Sequence, residues 1–369
     1  MKRQLLVKTL AAAAAVLAAF SASARVVVDH LDRKVEVPDH VNRVVITNIF
    51  PFASVTAVFL GGADKIAGMS KVSMLAAENG LLGEIYPKIK KVPTNFMNGS
   101  TVNVESLMKL RPDVVFVNAG DAKTLKMLDN AGIPALAVSV NRWNYNVLDT
   151  YEAWIKLLDE VFPGQAKKEK AARISRSVAS MVSRRVASIP ASQRRRLLFL
   201  FQYDDRKIVT SGRRFFGQYW ADAVGAQNVA SGVKAENANA QINMEQVYRW
   251  NPDTVLITNF TNTVPADLYG SKFHDWSKVK AVQERRVYKM PLGLYRGYTP
   301  SADTPMTLLW LAKTVYPERF RDVNLNAEVK KYYRELFNIR LTDRQVESIF
   351  RPKSNVAEGR ITSPAARGR

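Results

Sequence analysis

The chain has 369 residues, 47% of them hydrophobic, no cysteine and a formal charge of +21. That length fits roughly two domains, and the missing cysteine excludes disulfides, thiolate metal sites and cysteine nucleophiles. The basic residues are spread out, with short runs only at 167–170, 184–185, 194–196 and 213–214 and no nucleic-acid motif beside them, so nucleic acid is not an expected partner.

Residues 1–24 read as a signal peptide. Lys2, Arg3 and Lys8 make a basic start, residues 10–20 are apolar, and Ala22-Ser23-Ala24 is a small-x-small cleavage site. The apolar run is shorter than the roughly 20 residues that span a bilayer. Cleavage after Ala24 removes Lys2, Arg3 and Lys8, taking the charge from +21 to +18. With no cysteine to carry a lipid, the exported protein is expected to be soluble, in the periplasm of a diderm bacterium, and not membrane-embedded.

Residues 26–37 alternate apolar and polar about Asp32-Arg33, as a hairpin does. A buried strand is expected at 43–47, a helix at 53–60 ending on Gly61-Gly62, a strand at 65–68 and helix near 74–85. Residues 102–117, VNVESLMKLRPDVVFV, then occur a second time as residues 242–257, INMEQVYRWNPDTVLI. The copies align without a gap, pairing Asn103 with Asn243, Glu105 with Glu245, Pro112 with Pro252 and Asp113 with Asp253. Each copy reads as a short helix, a Pro-Asp turn and a buried strand. The asparagine caps the helix, the glutamate sits in the first turn where the dipole favours negative charge, and the residue before proline, Arg111 or Asn251, ends the helix. A second pair, LGGADKIAG at 60–68 and VGAQNVASG at 224–232, precedes each copy, which points to two lobes of like construction.

Residues 122–131 are an expected helix and 135–140 a strand, so the first lobe, 25–164, is an open parallel sheet with helices on both faces. Residues 148–161 form an amphipathic helix that Pro163-Gly164 breaks. Residues 165–188 hold no glycine or proline, carry Ile174, Val178, Met181, Val182 and Val186 at helical spacing, and are otherwise basic. Such a helix could meet lipid or a partner; here it is read as a strut between the lobes, the linker being 165–189. The second lobe, 190–350, repeats the alternation, with a strand at 196–201, helices at 215–223, Thr304–Val315 and 327–337, and an aromatic, glycine-containing loop at 292–300. Residues 351–369 read as a disordered basic tail.

In this order the elements resemble a periplasmic substrate-binding protein of an ABC importer, of the class whose two lobes are joined by one long helix. The resemblance rests on VVVDHLDRKVEVPDHVNRVVI at 26–46, on LGGADKIAG, on NVESLMKLRPDVVFV, on the long helix, and on VTSGRRFFGQYWADAVGAQNVASG at 209–232, and it runs from about Val26 to Phe337. It implies a monomer that binds a ferric siderophore, haem, cobalamin or another metal chelate, with no cofactor of its own. It also implies that Glu105 and Glu245 dock onto an ABC permease dimer, and matched carboxylates on quasi-symmetric lobes suit such a two-fold partner.

Ligands of open parallel sheets bind beyond the carboxyl ends of the strands. The loops there hold Arg142, Trp143, Tyr145, Tyr203, Arg213, Arg214, Tyr295, Arg296 and Tyr298. Guanidinium groups suit carboxylates or catecholates and aromatic rings cover a flat ligand, so an anionic Fe(III) chelate, a ferric siderophore above all, is the expected cargo. A nickel or cobalt chelate, haem or cobalamin is the variant of the same reading. His30, His40 and His274 fall outside the expected cleft loops, which favours a preformed chelate over a bare ion. Two other classes compete. A periplasmic hydrolase would need a motif such as GxSxG, HExxH or a Gly-rich phosphate loop, and none is present. An envelope protein binding polyanions through its net charge would bind many anions in a salt-sensitive way.

Overall fold

The computed structural model describes residues 24–165, 167–237 and 240–352. The expected signal peptide and basic tail lie outside the described residues, except for Ala24, Arg351 and Pro352. Among the described residues no helix is long and apolar enough to cross a membrane.

The chain opens with the antiparallel hairpin β1 (Ala24–Val28) and β2 (Lys34–Pro38), turned at Asp32 with a φ of 60°. The first lobe adds β3 (Val44–Ile46), β4 (Ile66–Met69), the short hairpin β5 (Met97–Asn98) and β6 (Thr101–Val102), then β7 (Val114–Asn118) and β8 (Ala135–Val138). Its main sheet runs β4-β3-β7-β8, all parallel. The second lobe holds β9 (Arg196–Leu200), β10 (Gln202–Tyr203), β11 (Ile208–Thr210), β12 (Gln227–Asn228), β13 (Ala240–Ile242), β14 (Thr254–Ile257) and β15 (Val287–Lys289). Its main sheet runs β12-β9-β14-β15, again all parallel. In both lobes the first of the four strands lies inside, the second forms one edge, and the third and fourth follow on the other side. The repeated sequence supplies the third strand each time, β7 and β14. An antiparallel sheet β10-β11-β13 is added in the second lobe, its middle strand the short strand expected from the sequence at 208–210.

Alternation along the strands divides the core. Val44, Ile46, Val114, Phe116, Leu136 and Val138 from one sheet, and Leu197, Phe199 and Leu256 from the other, face a single apolar core shared by both lobes. The intervening Val45, Val115, Val117, Ala135 and Ala137 face a core private to the first lobe, and Leu198, Leu200, Val255 and Ile257 one private to the second. Parallel sheets covered on both faces read as continuous apolar runs for this reason.

The two repeat copies behave alike in detail. Asn103 Oδ1 accepts from Ser106 N at 2.9 Å, and Asn243 Oδ1 from Gln246 N at 2.9 Å. Arg111 and Asn251, each before a proline, take left-handed φ values of 49° and 38°. Asp113 Oδ2 accepts the Arg43 N–H leading into β3 at 2.8 Å, and Asp253 Oδ2 the Arg196 N–H opening β9 at 3.0 Å. The first copy's helix differs from expectation in stopping at Met108, three residues before Arg111. Gly61 and Gly225 (φ 76° and 67°) close the helices Phe52–Leu60 and Phe216–Ala223 at matched points of the second pair.

The helix between the lobes spans Lys168–Val186, 19 residues or about 28 Å, against the 165–188 expected. Ala171, Ser175, Val178, Val182 and Val186 point inward from it. The helix expected near 74–85 is two, Lys71–Asn79 and Leu82–Ile85. They part at Gly80, which is extended, and a Cβ there would sit 2.8 Å from the carbonyl oxygens of Ala76 and of Gly293 in the other lobe. Asp343–Phe350 is a helix missed in the sequence, opened by a Thr342–Gln345 capping box.

Candidate functional site

Connections at the carboxyl ends of the sheets bring polar groups together. In the first lobe a cavity of about 510 Å³ is lined by Asn48 beyond β3, Asn118 at the end of β7, Ser100 and Thr101 of the β5–β6 hairpin, Asp121 and Lys123. Asn118 Oδ1 accepts from Gly120 N at 2.9 Å, and Asp121 caps the helix Ala122–Asn130 through Thr124 N and Oγ1. None of these side chains is among the candidates expected from the sequence. The signal available was an asparagine at or just beyond the end of an apolar strand, twice.

In the second lobe the matching position is cationic and aromatic. The Arg296 side chain, 2% exposed, lies over the Phe260 ring at 4.7 Å and the Tyr295 ring at 5.5 Å, and its Nη1 donates to Tyr295 Oη at 3.2 Å. Phe260 in turn stacks on Phe201 at 4.9 Å. Lys289 is buried beside this group, donating to the Thr261 and Thr263 carbonyls at 2.7 Å each. Burial brings its ammonium down to about 7; Asp267 pulls the other way, and repulsion from Arg296 adds a smaller push downward. A second basic side chain, which no sequence pattern marks, therefore lies close enough to Arg296 for the two to repel. Asn259 Nδ2 donates to the Met290 carbonyl at 3.0 Å nearby.

Tyr298 is fully buried, packs against Phe199, Phe201, Phe215 and Phe216, and accepts the Gly217 N–H at 3.1 Å. Tyr145 reaches across from the first lobe. Its ring meets Phe215 and Phe216, and its hydroxyl lies 3.0 Å from a Glu236 oxygen and 2.6 Å from Asn237 Oδ1. Arg214 Nη2 stands 3.4 Å from the same Glu236 oxygen, and Arg213 beside it is exposed. Ring contacts thus run without a break from Tyr145 through Phe215, Phe201 and Phe260 to Arg296. The structure gathers Tyr145, Arg214, Tyr295, Arg296 and Tyr298 around this wall.

Three candidates lie elsewhere. Arg142 donates to the His30 carbonyl at 2.7 Å and to both Asp32 oxygens, at 2.9 and 3.0 Å, on the β1–β2 hairpin. Trp143 sets its ring edge-on to His30 at 5.0 Å. Tyr203 is buried among Phe273, His274 and Trp276 and accepts the Trp276 indole N–H at 2.7 Å. Among the described residues no group of three or more His, Cys, Asp or Glu side chains is placed to hold a metal ion.

Glu105 and Glu245 are exposed in the first turns of their helices. Glu245 pairs with Arg249 at 3.0 Å. Each helix runs back toward the start of the next strand, so its first turn lies at the carboxyl end of the sheet.

The profile of the family described as "Periplasmic binding protein" matches residues 44–292. The chain is 28% identical over 340 residues to the Molybdate-binding protein MolA of Haemophilus influenzae, covering 86% of this chain and 92% of that one. A crystal structure of a periplasmic solute binding protein from Veillonella parvula superposes with a TM-score of 0.78 at 27% identity, over 90% of this chain and 98% of the other. CeuE of Helicobacter pylori in its Ni-His complex superposes with a TM-score of 0.70 at 21% identity, over 89% and 99%, a likeness of fold.

Proposed function

The chain belongs to the periplasmic binding protein family, which serves ABC importers, and we propose that its cargo is an anionic metal species held against Arg296. Its relatives are solute-binding proteins, not enzymes, and its partner is an ABC permease. The observation that carries the reading is the buried guanidinium of Arg296, clamped between Phe260 and Tyr295 with the Lys289 ammonium behind it. Positive charge in an apolar setting attracts an anion far more strongly than it would in water.

A metal oxyanion is the first choice. The relative aligned over 86% of this chain is named for molybdate, and a compact anion suits a site of polar side chains and two cations. Asn48, Asn118 and Lys123 would face it from the first lobe; Arg213, Arg214 and Tyr145 would close over it. An Fe(III) chelate, or one of nickel or cobalt, is the second reading, favoured by the aromatic wall. Delivery would run through Glu105 and Glu245 meeting basic residues of the permease. Export by residues 1–24 and action as a monomer, two lobes on one linking helix, complete the proposal.

Calorimetric titration tests it, with molybdate, tungstate, sulfate, ferric citrate, a ferric catecholate, haemin and nickel–histidine as titrants. Molybdate should saturate one site, and Arg296→Gln should weaken it on the order of 10- to 100-fold, the worth of one or two charge-assisted hydrogen bonds. Tyr203→Phe, beside Trp276, should leave affinity within about twofold, since its ring stays in place. Saturation by a chelate with no response to oxyanions would replace the first reading with the second. No saturable response to any titrant would overturn both.

A further inference from the structure

Residues 101–110 and 241–250 show the same succession of exposed, half-buried and buried positions, residue for residue. Among the described residues, six large hydrophobic side chains are markedly exposed, and two of them, Met108 at 46% and Tyr248 at 38%, occupy the same place in the two copies. Each follows its lobe's glutamate by three positions, so the apolar group and the carboxylate share one face of the helix. A lone exposed apolar residue needs no explanation. A matched pair is different, because the two copies have diverged from Met to Tyr while keeping an apolar side chain in solvent.

We infer that Met108 and Tyr248 are the apolar anchors of the face that meets the permease, one on each lobe, seated in two symmetry-related sockets with a cationic rim. The inference rests on the docking reading above and extends it from charge to contact. Lysine or arginine at each rim would meet Glu105 and Glu245, while the socket itself is apolar. The anchors suit such a role in different ways. Met108 is flexible and adapts to its socket. Tyr248 is pre-ordered, its hydroxyl donating to the Asp275 carbonyl at 2.6 Å, so little freedom is lost when its ring is covered. Arg249 partly neutralises Glu245, which leaves the second lobe more dependent on its ring than on its charge.

The test is binding of the chain to the permease–ATPase complex in lipid nanodiscs, measured by interferometry. Met108→Gln and Tyr248→Gln should each weaken binding about tenfold, and the double variant about 100-fold, as expected of central contacts. Tyr248→Phe should bind like wild type. Thermal midpoints should stay within about 2 °C, because both side chains are exposed. A double Gln variant that binds within twofold of wild type overturns the inference. Glu105→Ala with Glu245→Ala separates the two readings: binding lost there but kept in the Gln variants removes the anchors alone, and binding kept in every variant removes the docking face itself.

Discussion

Asp303 joins the aromatic loop at 292–300 to the C-terminal helices, and its ionisation can be tested directly. The carboxylate is 2% exposed; Oδ2 accepts from Leu294 N at 2.8 Å and Tyr295 N at 3.2 Å, and Oδ1 accepts from the Tyr333 hydroxyl. Burial pushes it from the usual 3.8 up to about 6, outweighing the Tyr333 and backbone hydrogen bonds that pull the other way. A group raised in the folded state contributes its full stability below its unfolded value, here 3.8, and loses it as pH rises through about 6. At 1.36 kcal/mol per unit, the loss between pH 3 and 7.5 is about 3 kcal/mol. Asp303→Asn cannot ionise. Its carbonyl keeps the two backbone N–H groups, and its amide can donate to the Tyr333 oxygen. Urea unfolding of both proteins, followed by tryptophan fluorescence, should show the variant gaining about 3 kcal/mol relative to wild type over that pH range. Other titrating groups cancel in the difference. A difference constant to within about 1 kcal/mol would refute the reasoning.

Burial holds the His30 imidazole down at about 4, where Nδ1 accepts the Ser139 N–H at 3.0 Å. Its contribution is whole above 6.5 and is lost as pH falls through about 4, so its NMR signals should still be those of neutral imidazole at pH 5.5; a midpoint above 6 contradicts this. Gly217→Ala would place a Cβ 2.5 Å from Ser211 Oγ and 2.9 Å from the Phe199 ring, so a loss of about 2 kcal/mol is expected in urea unfolding. Gly232→Ala, which meets open space, should change stability by less than about 0.5 kcal/mol.

The architecture was legible where local rules and tertiary structure agree. The Asn103 and Asn243 caps and the matched third strands follow from sixteen-residue patterns present twice in the sequence, whereas the left-handed φ of Arg111 and Asn251 does not, because a residue before proline is ordinarily extended. The site was less legible, because loop side chains choose partners far away in sequence. Arg142 is taken by Asp32, 110 positions earlier, and Tyr203 by Trp276, 73 positions later. No periodicity announces either pairing. Lys289 went unnoticed because a lysine ending an apolar strand reads as an exposed edge, whereas its ammonium folds back onto two carbonyls. The helix Asp343–Phe350 went unassigned although Thr342 and Gln345 carry a capping-box spacing.

Every residue from 291 to 312 is buried, and this stretch ties the lobes together. Leu81 N donates to the Gly293 carbonyl at 2.9 Å, and the Tyr332 hydroxyl, which donates to the Ala302 carbonyl at 2.6 Å, lies 3.2 Å from that of Tyr151 in the first lobe. The consequence is kinetic. Swinging the lobes wide would wet this joint, at about 2.5 kcal/mol for every 100 Å² of apolar surface exposed, so bound cargo is expected to escape only through rare, narrow openings. Each 1.4 kcal/mol of that resistance lengthens the residence time about tenfold. Discharge would then be timed by the receiver that prises the lobes apart, and the dwell of cargo on the free protein would far exceed the time needed to diffuse to the membrane.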